Sequence, residues 1–84
     1  MELFAHTMGP GNKPLDLDWL EDFITLSETG NFSRAAIARS IAQPAFSRHI
    51  KSLEEWVGID LIDRTAHPVE LTAAGKKFKP PIES

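Results

Sequence analysis

Cysteine is absent from this chain of 84 residues. Its absence excludes disulfides, cysteine-ligated zinc fingers and thiol redox sensing within this sequence. The three histidines lie too far apart along the chain to suggest a metal site. We therefore expect no metal and no other cofactor, and the composition suits a reducing cytoplasm.

Long apolar runs are also missing. No segment approaches the roughly 20 apolar residues of a membrane helix, and the first residues, MELFAHTMGPGNKP, lack the basic start and apolar run of a signal peptide. We predict a soluble cytoplasmic protein that does not contact membranes. Residues 1–14 contain two glycines and two prolines without periodicity, which predicts a flexible leader.

An overall basic excess is lacking as well, since the net charge is −3. This balance argues against a nucleic-acid binder until the positions of the charges are considered. Between Thr29 and Leu53 the chain has no acidic residue and four basic ones: Arg34, Arg39, Arg48 and Lys51. Because charges beyond roughly 8 Å are largely screened at physiological salt, this local excess is what a phosphate would meet.

Helical periodicity predicts a first helix over residues 17–29, with Asp16 as its N-cap and Gly30 at its end. The acidic side chains of its first turns suit the positive end of the helix dipole. We interpret them as a solvated face: Asp18, Glu21 and Asp22.

Two short helices follow with almost no linker between them. Ser33 is the expected N-cap of the second helix, RAAIARSI, with Phe32 as an apolar staple before it. The third helix is predicted over residues 43–57, because Pro44 is tolerated in a first turn and Gly58 stops the helix. This arrangement predicts a helix-turn-helix.

The third helix divides into two faces at 100° per residue. The buried stripe is predicted to contain Phe46, Ile50, Leu53 and Val57. An outward arc contains Gln43, Pro44, Ser47, Arg48 and Lys51. Glu54 and Glu55 are predicted to prolong this arc and repel phosphates, so contact with DNA is expected from the N-terminal half.

Past Gly58, the pieces DLIDRT and PVELT flank a turn at Ala66, His67 and Pro68, which predicts a two-stranded wing. Thr72 is the expected cap of a fourth helix, AAGKKF, and the prolines at 80 and 81 should end it.

The chemistry of the outward arc suits the reading of bases in a major groove. Gln43 can pair with adenine, and Arg48 with guanine or a phosphate. Ser47 can serve either purpose, and Pro44 and Ala45 offer apolar contact to a thymine methyl. At the start of the second helix, Ser33 and Arg34 are placed to hold phosphates.

Plainer interpretations stay open for several of these residues. Gln43 and Pro44 are also ordinary first-turn residues, and Arg39 could pair with an acid of the first helix. The outward Arg48 and Lys51, without neighbouring acids, favour nucleic acid over a merely solvated face.

From about Leu17 to Phe78 the sequence resembles the N-terminal DNA-binding domain of LysR-type bacterial transcriptional regulators. The resemblance rests on FITLSETGNFSRAA, on IAQPAFSRHIKSLEEWVGIDLIDRT and on LTAAGKKF. It implies a mainly α winged helix-turn-helix whose third helix enters the major groove and whose wing approaches the minor groove. The implied contacts are Gln43, Pro44, Ala45, Ser47 and Arg48, with Ser33 and Arg34 in support and Arg64 before the wing.

The sequence departs from the family pattern at three places. Ala42 stands where a serine usually caps the third helix, and His67 stands at a wing tip that usually carries a cation. After Phe78 the prolines interrupt the expected linker helix, which in the family pairs with a second subunit.

We therefore expect a leader over residues 1–14, a DNA-binding domain over 15–72 and the truncated start of a linker helix over 73–84. In the family an effector domain follows, and it is expected to be absent from this chain. Homodimerisation is expected in the full-length regulator and is expected to be weak here.

Sequence-specific binding of double-stranded DNA, for transcription regulation, is the function that these features predict. An alternative is a winged-helix module for protein contacts, with the acidic first helix or an exposed Trp56 as its interface. An enzyme is not expected, because no nucleophile with a base and no pair of carboxylates stands at a useful spacing.

Overall fold

A computed structural model describes residues 14–79 of the chain. Within this range the fold is three packed helices, a two-stranded wing and a short final helix. The elements are α1 (Leu17–Thr29), α2 (Phe32–Ala38), α3 (Gln43–Val57), β1 (Ile62–Asp63), β2 (Glu70–Leu71) and α4 (Ala73–Phe78). None of the helices in this range has the length and hydropathy needed to cross a bilayer. Residues 1–13 of the leader expected over 1–14, and the prolines at 80 and 81, lie outside the described residues.

The first helix has the predicted bounds because both of its ends are capped locally. The Asp16 carboxylate accepts a hydrogen bond from the backbone N–H of Asp18 at 2.8 Å. At the other end Gly30 adopts a left-handed φ of 68° and donates its N–H to the carbonyl of Leu26.

The second helix starts earlier than predicted. Asn31, not Ser33, is its N-cap: the Asn31 side-chain oxygen accepts the N–H of Arg34 at 2.9 Å. Phe32 is consequently the first residue of the helix rather than a staple before it. Asparagine and serine are equally good caps, but Asn31 has the extended backbone of an N-cap, with φ −147° and ψ 119°, whereas Ser33 already lies inside the helix.

The second helix also ends before the predicted Ile41. Ser40 takes a positive φ of 61°, and the N–H groups of Ser40 and Ile41 turn back to the carbonyls of Ile37 and Ala36. This double closure is a Schellman motif with serine at the position that glycine usually fills. It provides the sharp turn between the second and third helices.

The third helix matches its predicted range of 43–57, with Gly58 left-handed at its end. As expected from the sequence, the Ala42 side chain makes no capping hydrogen bond. Phe46, Ile50 and Leu53 are fully buried, while Val57 at the end of the stripe is half-buried.

One core joins all of the elements. Its buried members are Phe23, Leu26, Ala35, Ala36, Phe46, Ile50, Leu53, Leu61 and Ile62. Two edge-to-face aromatic pairs extend it, Phe32 with Phe46 and Phe23 with Phe78. Small alanines on α2 let its backbone approach its neighbours closely.

The wing is a hairpin in which Ile62 pairs with Leu71 and Asp63 with Glu70. Its base is fixed by Thr72, which donates its hydroxyl to the Asp60 carbonyl and accepts the N–H of Gly75 as the cap of α4. A Cβ atom at position 75 would overlap the backbone carbonyl of Leu61. A glycine is therefore required there for α4 to lie against the strand.

Candidate nucleic-acid interface

The N-terminal half of α3 presents the predicted polar arc to the surface. Gln43, Pro44, Arg48 and Lys51 are exposed. Ala45 and Ser47 are half-buried at the edge of the arc, where a methyl and a hydroxyl stay accessible. Because this half of the helix carries no acid, a groove would meet only neutral and basic groups on it.

Three predicted contact residues from different parts of the chain surround one depression. It has a volume of about 440 Å³ and lies between the start of α2, the start of α3 and the wing. Ser33, Gln43 and His67 contribute to its lining, together with Asn31, Phe32 and the segments at 30 and 68–69. Arg34 is exposed on the first turn of α2, next to Ser33.

The wing is tied to the end of α1. The N–H of Val69 donates to the carbonyl of Gly30 at 3.0 Å. A Cβ atom at Gly30 would approach the Pro68 side chain to 2.9 Å, so the left-handed glycine also makes room for the wing. His67 lies exposed at the tip, and its Nδ1 is 3.0 Å from the carbonyl of Ala66.

Glu54 corrects an expectation, because its carboxylate does not prolong the outward arc. Glu54 is only 4% exposed, and its carboxylate is hydrogen-bonded to the segment that begins the wing. The backbone N–H groups of Leu61 and Ile62 donate to Oε2 at 2.9 and 3.1 Å. Arg64 adds two hydrogen bonds, at 3.0 Å to Oε1 and 3.2 Å to Oε2.

These contacts set the ionisation of Glu54. Burial acts to raise the pKa of this carboxyl, but the hydrogen bonds from Arg64 and the two backbone amides outweigh it, and the pKa lies below its ordinary value. The carboxylate is thus ionised and paired. Of the two acids expected to repel phosphates, only Glu55 stays exposed.

Arg64 therefore has a structural partner as well as its predicted role. Besides the two bonds to Glu54, its guanidinium lies 5.7 Å from the centre of the Phe32 ring. Its side chain is 40% exposed, so part of it stays accessible. A contact from Arg64 to DNA stays a prediction.

Asp22 corrects the interpretation of the first helix as a wholly solvated acidic face. Its side chain is 1% exposed, and each of its oxygens accepts one hydrogen bond. Arg39 Nε donates to Oδ1 and His49 Nδ1 meets Oδ2, each at 2.6 Å. Asp18 and Glu21 do stay exposed.

Arg39 neutralises Asp22, which confirms the alternative prediction that Arg39 pairs with an acid of the first helix. It also reaches Glu21 at 3.0 Å and Asp18 at 3.8 Å. The hydrogen bond to Asp22 is the main reason that the pKa of Arg39 is raised, so its charge is permanent. An acidic docking surface on α1 is correspondingly reduced, and Trp56, expected to be exposed, is half-buried.

The local charge of the surface follows from these pairs. Within residues 14–79, neither Arg34, Arg48 nor Lys51 forms an ion pair, whereas Arg39 and Arg64 do. On α2 and α3 the uncompensated cations are therefore these three, and a second group without ion pairs in the described range lies on and just after α4: Lys76, Lys77 and Lys79. A chain that is acidic overall thus presents a basic face.

Sequence reasoning missed Asn31 and the two buried carboxylates. A signal for Asn31 existed, because it stands directly after the glycine that ends α1. The buried roles of Asp22 and Glu54 had no local signal, since their partners lie 7 to 27 residues away.

Residues 17–76 match the family model of the bacterial regulatory helix-turn-helix proteins, lysR family. The chain belongs to the LysR family. The match covers all four helices almost completely and the wing, and the predicted winged helix-turn-helix is thereby confirmed.

Several LysR-type relatives align with the same segment. The HTH-type transcriptional regulator YjiE of Escherichia coli K12 is 45% identical over 64 residues, which are 76% of this chain and 21% of that protein. The structure of VV2_1132, a LysR family transcriptional regulator, is 56% identical with a TM-score of 0.80, covering 82% of this chain and 25% of that one.

A third LysR-type neighbour is a structure of BenM_DBD in a complex with catB site 1 DNA. It is 40% identical with a TM-score of 0.74, and the alignment covers 77% of this chain and 70% of that one. This chain spans about a fifth of the length of YjiE. The relatives are named as transcriptional regulators, a class of proteins that are not enzymes.

Proposed function

We propose that this chain binds double-stranded DNA sequence-specifically and serves in bacterial transcription regulation as the DNA-binding domain of a LysR-type regulator. The observation that carries the proposal is the outward half of α3. It combines exposed amide and guanidinium groups with cations that have no acid beside them, which is the chemistry that base edges and phosphates require.

The proposed contacts divide by chemistry. Gln43 and Arg48 would pair with base edges, and Pro44 and Ala45 would meet thymine methyl groups. Ser47 would contact a base or a phosphate. Phosphates would be held by four further residues: Ser33, Arg34, Lys51 and Arg64.

The depression between α2, α3 and the wing supports a single docking geometry. Ser33, Gln43 and His67 all line this depression, and a DNA backbone lying across it would place α3 in the major groove. The wing tip would then approach the minor groove beside it. BenM_DBD, which has the same fold, has been solved with DNA.

The remaining organisation is proposed from the family. Residues 15–72 would form the DNA-binding domain, and α4 would begin the linker helix that pairs with a second subunit. The full-length regulator would be a cytoplasmic homodimer without enzymatic activity, while dimerisation by this chain alone would be weak.

A salt titration on duplex DNA tests the proposal. Two or three phosphate contacts predict that the association constant falls roughly 10- to 40-fold between about 50 and 200 mM salt. Fluorescence anisotropy with a labelled duplex would measure it, and light scattering on the same samples would report the oligomeric state. The proposal would be contradicted if no binding were detected, or if the association constant did not change with salt concentration. A stable complex of protein chains without affinity for DNA would favour the protein-contact module.

A further inference from the structure

The buried carboxylate of Asp22 connects three parts of the helix-turn-helix. It lies on α1, and its two oxygens receive Arg39 from the end of α2 and His49 from the middle of α3. Both donor to acceptor distances are 2.6 Å, and the Asp22 side chain is 1% exposed. His49 directly follows Arg48, one of the residues proposed to read bases.

A buried carboxylate of this kind is costly unless its charge is fully paired. Arg39 supplies the permanent charge, and Glu21 and Asp18 bind the outer side of its guanidinium. His49 supplies the second hydrogen bond. Because an ionised carboxylate only accepts, Nδ1 of His49 carries the proton. Within residues 14–79 Asp22 is the one charged group bonded to His49.

The two attachments of α3 to the domain differ in what they fix. The buried stripe of Phe46, Ile50 and Leu53 holds the helix by apolar burial, which has little directionality. The His49 bond depends on both angle and distance. Since a helix with its side chains is roughly 10 to 12 Å across, a roll of about 10° moves an outward atom by roughly 1 Å. Functional contacts tolerate errors of only about 0.5 Å.

We infer that Asp22 is a positioning residue for base recognition: through His49 it fixes the rotation of α3, and thereby the aim of Gln43 and Arg48. The inference rests on the proposed DNA-binding function. Asp22 touches no DNA in this role. The carboxylate can position α3 because it has two acceptor oxygens. Oδ1 is held by Arg39 at the end of α2, and Oδ2 binds His49 and so aligns α3.

The test compares two replacements of the histidine. In His49→Asn the amide nitrogen takes nearly the place of Nδ1 and can still donate to Asp22, whereas His49→Leu has no donor. Duplexes would first be selected from a random pool with the wild-type 84-residue chain. The dissociation constants of each chain for a selected duplex and for its scrambled sequence would then be measured, and their ratio taken as the discrimination.

We expect His49→Asn to keep the wild-type ratio within about threefold and His49→Leu to lower it roughly tenfold, about one bidentate base contact. A purely structural role predicts otherwise. A partly unfolded variant loses affinity for both duplexes equally, which leaves the ratio unchanged. Leucine is also the better helix former, so stability alone would favour His49→Leu over His49→Asn.

An unchanged ratio in His49→Leu, or an equal loss in His49→Asn, overturns the inference. If circular dichroism shows that His49→Leu is unfolded, Asp22→Asn replaces it, since its amide can accept from only one of the two donors. An unchanged ratio in that variant overturns the inference too. A wild-type chain that enriches no duplex overturns the proposed function itself, and the inference with it.

Discussion

At the scale of single residues, two arginines determine how an acidic chain acquires a basic surface. Arg39 and Arg64 are committed to Asp22 and Glu54, both of which are buried. The cations without an ion pair on α2 and α3 are Arg34, Arg48 and Lys51, the ones proposed to contact DNA, and all three are exposed. Replacing Arg39 or Arg64 is therefore expected to lower the stability of the fold. Replacing one of the three unpaired cations is expected to weaken DNA binding instead.

Two substitutions on α3 separate base reading from phosphate contact. Arg48→Ala should reduce discrimination between a selected and a scrambled duplex, with a loss of about 1 to 3 kcal/mol for the selected one. Lys51→Ala should weaken binding to both equally and flatten the salt slope by about 1. Anisotropy titrations at two or more salt concentrations measure both effects.

Lys76→Ala provides the matched control, because Lys76 is an exposed cation on α4, outside the depression and the α3 arc. It should leave both titrations nearly unchanged. The assignment of Arg48 to bases would be wrong if Arg48→Ala lowered affinity for the two duplexes by the same factor.

At the scale of elements, the recognition helix α3 is the one whose start is least well held. Asn31, Asp16 and Thr72 cap the other helices with side-chain oxygens, whereas Ala42 has none. Pro44 cannot donate, so the N–H of Ala45 is the natural partner for a side chain at the cap. The first turn of α3 carries Gln43 and Pro44, two of the residues proposed to contact bases.

Ala42→Ser should stabilise the domain by about 1 kcal/mol, because the backbone of Ala42 already has the extended conformation of an N-cap. Urea unfolding followed by circular dichroism measures the free energy of unfolding. Ala38→Ser is the control: it places the same hydroxyl on the exposed last residue of α2, away from any helix start, where no gain is expected. Equal changes in both variants would show that capping is not the cause.

At the scale of the whole molecule, Glu54 joins the recognition helix to the wing. Its carboxylate takes hydrogen bonds from the backbone at Leu61 and Ile62 and from Arg64, so it fixes the chain where it leaves α3. The end of α1 holds the other side of the wing through Gly30 and Val69. The wing is thus bonded both to the end of α3 and to the end of α1.

The lowered pKa of Glu54 predicts how stability depends on pH. A carboxyl whose pKa is lower in the folded state stabilises the fold fully above its unfolded pKa, and the contribution disappears as the pH falls through the folded value. The free energy of unfolding should therefore decline as the pH drops below about 4.5, the ordinary pKa of the group.

Glu54→Gln should be less stable than wild type by about 1 to 3 kcal/mol at pH 7, and should lose less on acidification. Urea unfolding at neutral and acidic pH measures this difference. Glu55→Gln is matched to it, since Glu55 is the exposed neighbour on the same helix, and it should behave like wild type. A Glu54→Gln chain with the wild-type pH dependence would exclude this carboxylate as the source.

The sequence by itself determined the bounds of α1, α3 and α4 and the apolar stripe of α3, whereas both ends of α2 were misplaced. Asp16, Gly30, Gly58 and Thr72 act on backbone groups within a few residues of themselves, so their effect can be predicted from neighbouring positions. The start of α2 was misplaced only because two good caps, Asn31 and Ser33, competed over the same few residues.

Only the tertiary structure decided which charged side chains are buried and which groups neutralise them. Nothing near Asp22 or Glu54 in the chain distinguishes them from solvated acids, since the groups that neutralise them are brought in by the packing of other elements. Arg39 lies 17 residues from Asp22, His49 lies 27 residues from it, and Arg64 lies 10 residues from Glu54. Capping is local, whereas burial and pairing of charge depend on which distant segments the core brings together.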